Sequence, residues 1–152
     1  MLITFEGYVL PGRYIIREMT IIFSEEHHQH FFFQLPLNLK LSSVDTKTIQ
    51  YCVKNLNNFS LADFNVLPYS MVDVILSSLN GHKIYVAGSA AYNFAGLKMP
   101  KSTIIDICVD FNFKYSSELT TEICFKKHNP RYCSLAKARF IQKFLTERSI
   151  SI

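Results

Sequence analysis

The residues best suited to chemistry cluster near the C-terminus. Cys124, His128 and Cys133 bring two thiols and an imidazole within ten residues. A structural zinc takes four Cys or His ligands in a tetrahedron, and Cys108, at the end of an apolar run, could supply the fourth, with Glu118 and Glu122 as alternatives. The spacing is not that of a standard finger or knuckle. Cysteine is also among the most buried residue types, so plain thiols are the competing expectation, and Cys52, in a helical pattern, is expected to be core. A second cluster, His27, His28 and His30, lies in a polar turn leading into a strand. It is read as an exposed turn rather than a metal site, with His28 and His30 on one strand face and His27 on the other.

Charge points the same way along the chain. Residues 1–76 hold five Lys and Arg against seven Asp and Glu, and residues 77–152 hold eleven against five. The basic residues Lys126, Lys127, Arg131, Lys137, Arg139 and Lys143 fall in or just before the last helical pattern, where Arg139, Lys143 and Glu147 share one line. Such a patch is what a polyanion needs, because each neutralised phosphate releases counterions; a solvated helix face is the alternative. With 49% hydrophobic and 14% aromatic residues the chain is expected to fold rather than stay disordered. Its apolar runs fall far short of the ~20 residues that cross a bilayer. The first residues carry no basic, cleavable leader, so a cytoplasmic or nuclear location is expected, with cysteines as thiols or metal ligands rather than disulfides.

These groups must be positioned by the elements that periodicity predicts. Strands are expected over 2–10, 14–23 and 30–35, joined by turn chemistry at Pro11-Gly12 and by the polar residues after Phe23. Helical spacing follows over 44–56, with Ser43 or Asp45 as N-cap, then over 69–79. A strand at 83–87, a helix at 90–97, a strand at 104–109 and a long amphipathic helix at 134–147 complete the pattern. One domain over 1–148 with a short tail at 149–152 is expected. Three antiparallel strands followed by alternating helices and strands build an α/β fold, a mixed five-stranded sheet with helices on both faces. The ribonuclease H-like fold has this order, as do other mixed folds.

Three segments carry a more specific likeness. Thr4-Phe5-Glu6 resembles the Asp-x-Glu motif of the DEDDh 3′–5′ exonucleases, which have the ribonuclease H-like fold. Val86-Ala87-Gly88-Ser89-Ala90-Ala91-Tyr92-Asn93 resembles their second motif, Val-Ala-His-Asn-Ala-x-Phe-Asp. His128, four residues, Cys133 and the alanine-containing helix that follows resemble their third, in which Asp stands where Cys133 does. Glu6 and His128 are kept, while Thr4, Asn93 and Cys133 replace carboxylates. The chain is also similar to the Maelstrom domain, a DEDDh-like fold with a Glu-Cys-His-Cys set, and to related domains of insect viruses and transposable elements.

The resemblance implies a pseudo-exonuclease. In-line phosphodiester hydrolysis in that family uses two divalent ions held by several hard anionic oxygens, and one Glu does not suffice. The expected function is therefore binding of nucleic acid, RNA before DNA, through the basic residues near the old cleft, with a structural zinc on Cys108, Cys124, His128 and Cys133 in place of the catalytic metals. A protein-interaction module on the same fold is the first alternative; an active nuclease using His128 with Glu6 is the second.

Overall fold

The computed structural model describes residues 1–57, 66–115 and 130–152. Strands β1 (Leu2–Leu10), β2 (Arg13–Ile22) and β3 (His28–Phe32) lead into helix α1 (Ser43–Cys52), a π-helical turn (Val53–Asn57) and α2 (Met71–Ser78). Then come β4 (Lys83–Val86), α3 (Ser89–Lys98), β5 (Thr103–Asp106), the single turn α4 (Ile107–Asp110), a 3-10 turn (Pro130–Tyr132) and α5 (Ser134–Glu147). The strands form one mixed sheet in the order β3-β2-β1-β4-β5, and among them β2 alone runs against the other four. The expected α/β class is the one observed.

Strand alternation sorts the core into two layers. Ile3 and Phe5 of β1, Met19 and Ile21 of β2, and Ile84 and Val86 of β4 pack against Val72 and Leu76 of α2 and Ala91 and Ala95 of α3. Leu2, Ile22 and Tyr85 point the other way, onto Ala138, Ile141 and Leu145 of α5. Helices therefore cover both faces. The tail is not loose: Ile150 and Ile152 pack against that second cluster, and Ile150 N–H donates to Leu145 O at 3.0 Å. None of the described helices is long and apolar enough to cross a membrane.

Local chemistry sets the element ends. Pro11 and Gly12, the latter at φ +70°, fill a two-residue turn, since proline fixes a negative φ and glycine accepts the positive one. The N-cap of α1 is Ser42, one residue before the expected cap, in a reciprocal box with Asp45. Arg13 then clamps Asp45 at 2.8 Å, tying the hairpin to that helix. Strand β3 ends earlier than expected, at Phe32; Phe33 still donates to Arg17 O of β2 at 2.9 Å and forms a parallel bridge to Leu67 on its other side. The strand expected over 104–109 stops at Asp106, whose carboxylate accepts from the Cys108 N–H at 3.0 Å and starts a helical turn. A β-branched apolar run does not reveal such a cap.

Between Glu6 and Gly7 the hairpin register shifts, Glu6 facing Glu18 and Gly7 facing Ile16, so that Arg17 is the bulged residue. A Cβ at Gly7 would fall on the Ile15 carbonyl oxygen. Gly7→Ala is therefore expected to cost about 3 kcal/mol and lower the Tm by roughly 6–12 °C. Gly96→Ala, in α3 with open space around it, should instead raise stability by about 0.5–1 kcal/mol. Thermal unfolding of the two variants side by side checks both signs.

Candidate functional site

In an open α/β sheet, ligands enter where neighbouring parallel strands send their chains in opposite directions. Here that point lies between β1, which continues into β2, and β4, which continues toward β5. A cleft of about 500 Å³ opens there, lined by Thr4, Glu6 and Gly7 from β1, by Gly88, Ser89 and Ala90 at the start of α3, and by Tyr115, Tyr132 and Lys137. Gly88, at φ +91°, is the N-cap of α3, and its N–H donates to Asp106 at 2.8 Å, fixing the turn out of β4.

Glu6 sits at the floor, 7% exposed, with its carboxylate against the Lys137 ammonium. Burial pushes the Glu6 carboxyl up to about 7, in spite of the opposing pull of Lys137. Lys137 also lies over the Tyr115 ring, 5.3 Å from its centroid. Burial pushes the Tyr14 and Tyr115 hydroxyls above the usual phenol range, so both stay protonated, and Tyr14 donates to Phe5 O at 3.2 Å.

Beside the cleft, under the first turn of α5, runs a buried polar seam. Thr4 Oγ1 donates to Ser134 O at 2.7 Å, and Thr20 and Ser134 share a hydroxyl pair at 2.7 Å. Glu18, fully buried, offers Oε1 to the Ser134 N–H at 3.1 Å, to His30 Nε2 at 2.7 Å and to the Cys133 thiol at 3.6 Å. Cys133 is the N-cap residue of α5 and makes no side-chain cap, so the Glu18 carboxylate takes that place at the positive helix end.

The candidate residues divide accordingly. Thr4, Glu6, Cys133 and Lys137 come together around this seam and cleft. Asn93 does not: it is exposed on α3, in a separate depression with Tyr92 and Leu97. Cys124, His128, Lys126, Lys127, Glu118 and Glu122 lie outside the described residues. Cys108 follows β5 beside Asp106, while Cys133 touches Glu18 on β2. Among the described residues no group of three or more His, Cys, Asp and Glu is arranged to hold a metal.

The basic line is also altered. Arg139 is half-buried and donates to Gln142 at 2.8 Å and to Glu25 O at 3.3 Å, and it meets His28 Nδ1 at 3.1 Å, so it pins the β2–β3 turn. Lys143 and Arg131 are exposed. The three histidines take separate partners: His30 pairs with Glu18, His28 with Arg139, and His27 stacks on Phe23 at 4.9 Å. The sequence reading missed Glu18. Its signal was the hairpin itself, since closing 2–10 on 14–23 sets Glu18 opposite Glu6.

No protein-family model, curated protein or solved structure matches the chain.

Raising an acid's pKa in the fold means that the folded state binds more protons than the unfolded one between the two values. Through Glu6, stability should thus fall as pH rises from about 4.5 to about 7, by at most about 3 kcal/mol, and level off above. Urea unfolding across this range should show a shallower decline for Glu6→Gln. Lys137→Met, which removes the countercharge, should make the decline steeper.

Proposed function

We propose that the chain is a ribonuclease H-like domain resembling the DEDDh exonucleases, catalytically silent, that binds nucleic acid, RNA before DNA, along the cleft at the ends of β1 and β4. The observation that carries this reading is the sheet order β3-β2-β1-β4-β5 with β2 reversed, together with a cleft at the β1/β4 switch point that holds Glu6. That is where the resemblance expects the first motif.

The same cleft argues against hydrolysis. Two catalytic metals need several carboxylate oxygens turned to one space. Glu6 is engaged by an ammonium, the Thr4 hydroxyl is spent on Ser134 O, and Glu18 is turned to the helix end and is not among the cleft residues. Phosphate contacts fall to the exposed Lys143 on α5, with Lys126, Lys127 and Arg131 from the segment before it, while Lys137 is held by Glu6. Such contacts are electrostatic and independent of sequence.

A structural zinc belongs to the reading with its fourth donor changed. Cys133 lies on Glu18, so Cys124, His128 and Cys133 would be completed by the Glu18 carboxylate rather than by Cys108. Zinc accepts an oxygen donor of this kind, and when bound it would fasten the segment before α5 to β2.

Incubation with single-stranded RNA or DNA and Mg²⁺ or Mn²⁺ should give no trimming, while a salt titration should give a binding constant that falls linearly on a log–log plot. Lys143→Glu should flatten that slope by about one and leave the Tm within about 1–2 °C. Trimming that Glu6→Ala abolishes, or no binding at low salt, overturns the proposal. For the metal, one zinc per chain should copurify and survive Cys108→Ser, whereas Glu18→Gln or Cys124→Ser should lower the zinc content. Metal-free protein removes this part.

A further inference from the structure

The two edges of the sheet are not treated alike. On the β3 side, Leu67 bridges Phe33 and exchanges main-chain bonds with Phe32 and Gln34 at 2.8 and 2.9 Å. On the β5 side, none of the described strands pairs with the outer edge. Thr103 N–H turns inward to His82 O at 3.1 Å, so by strand alternation the N–H and C=O of Ile104 turn outward. Residues Thr103–Asp106 contain no proline, bulge or lysine, the devices that usually blunt an edge; only the strand's shortness limits it.

Apolar surface flanks this edge on both sides. Toward α3, Tyr92 and Leu97 are 43% and 82% exposed, and toward α4, Val109 is 78% exposed beside Phe111. Two depressions, of about 480 and 700 Å³, meet at Tyr92 and Ile104 and so form one trough running past the edge. Its charge is one-signed: Asp106 and Asp110 line it, and no Lys or Arg among the described residues does.

We propose that the β5 edge accepts an extended peptide segment of a partner protein as a sixth strand, with apolar side chains on both faces and a basic residue toward Asp110. Ile104 supplies the main-chain donor and acceptor. Alternate side chains of the added strand fall into the Tyr92–Leu97 side and the Val109–Phe111 side, which is how strand addition obtains selectivity. The negative end selects a cation on the incoming chain and disfavours an acidic one. With so short an edge, the affinity must come from the trough more than from the ladder. This surface is separate from the cleft at β1 and β4, and the proposal does not rest on the nucleic-acid reading.

The probe is a blocked, fluorescein-labelled peptide of lysine, valine, isoleucine, valine, isoleucine and lysine. It should bind with a Kd below about 1 mM, and a version with glutamate for lysine should bind about tenfold more weakly. A peptide N-methylated at alternate residues, which cannot donate to the edge, should not bind. Val109→Arg changes an exposed residue and should abolish binding with an unchanged Tm, and saturation with the peptide should slow hydrogen exchange of the Ile104 amide. The proposal is overturned by no binding up to that concentration, by binding that survives N-methylation or Val109→Arg, or by a free chain that is already a dimer with its Ile104 amide protected, which would assign the edge to a second copy.

Discussion

Glu6 and Glu18 face each other across β1 and β2 on a side of the sheet that water barely reaches. Like charges in register repel, and each buried ion costs several kcal/mol unless it is paired and hydrogen-bonded. The architecture around them is the set of conditions under which both can be buried. Glu18 is held by the N-terminal turn of α5, by His30 from the neighbouring strand and by the Cys133 thiol. Glu6 is held by Lys137, one turn further along the same helix. Helix α5 is thus located twice, by apolar contacts of Ala138, Ile141 and Leu145 along its length and by two carboxylates at its start. Apolar contacts alone would let it slide; the carboxylates set its register on the sheet.

The bulge belongs to the same arrangement. By adding Arg17 between Ile16 and Glu18 it restarts the alternation of β2 relative to β1, so that the polar Glu6–Glu18 step gives way to the Tyr8–Ile15 pair, which packs on Ile49 of α1. The extra residue is not left idle. Arg17 is buried, donates to Phe33 O at 2.8 Å and reaches the Tyr8 hydroxyl at 3.4 Å. Gly7 permits the close approach that the bulge demands, which is why glycine directly follows the buried Glu6.

Element order, the hairpin and the long last helix were legible in the sequence because each rests on a local signal: alternation, a Pro-Gly turn, or apolar residues at helical spacing. Ribonuclease H-like topology was expected from that order, and the observed strand order agrees at the level of a mixed α/β sheet. Less was legible at the site, where partners lie far apart in sequence. Glu18 meets Ser134 across 116 positions and Glu6 meets Lys137 across 131. Spacing cannot report such pairs, and Glu18, which meets Cys133 and Ser134 from β2, carries no local signal of its role. Asn93 depends on helical phase instead, which leaves it exposed on α3 and outside the cleft.

The same distinction bears on the basic C-terminal half. An ammonium paired with a carboxylate, as in Lys137 with Glu6, largely cancels in the far field. Arg139 is engaged within the fold by the Glu25 carbonyl, the Gln142 amide and the His28 ring, so much of its donor fork is occupied. Arg148 holds its guanidinium over an aromatic face, 3.7 Å from the Phe144 ring centroid. On the proposed reading, a polyanion approaching α5 would feel positive potential from Lys143 and Arg148 without meeting a row of open guanidinium forks. Potential of that kind raises the encounter rate and responds to salt, whereas bidentate arginine contacts fix geometry. If the proposed nucleic-acid reading holds, α5 would attract a polyanion more than read one.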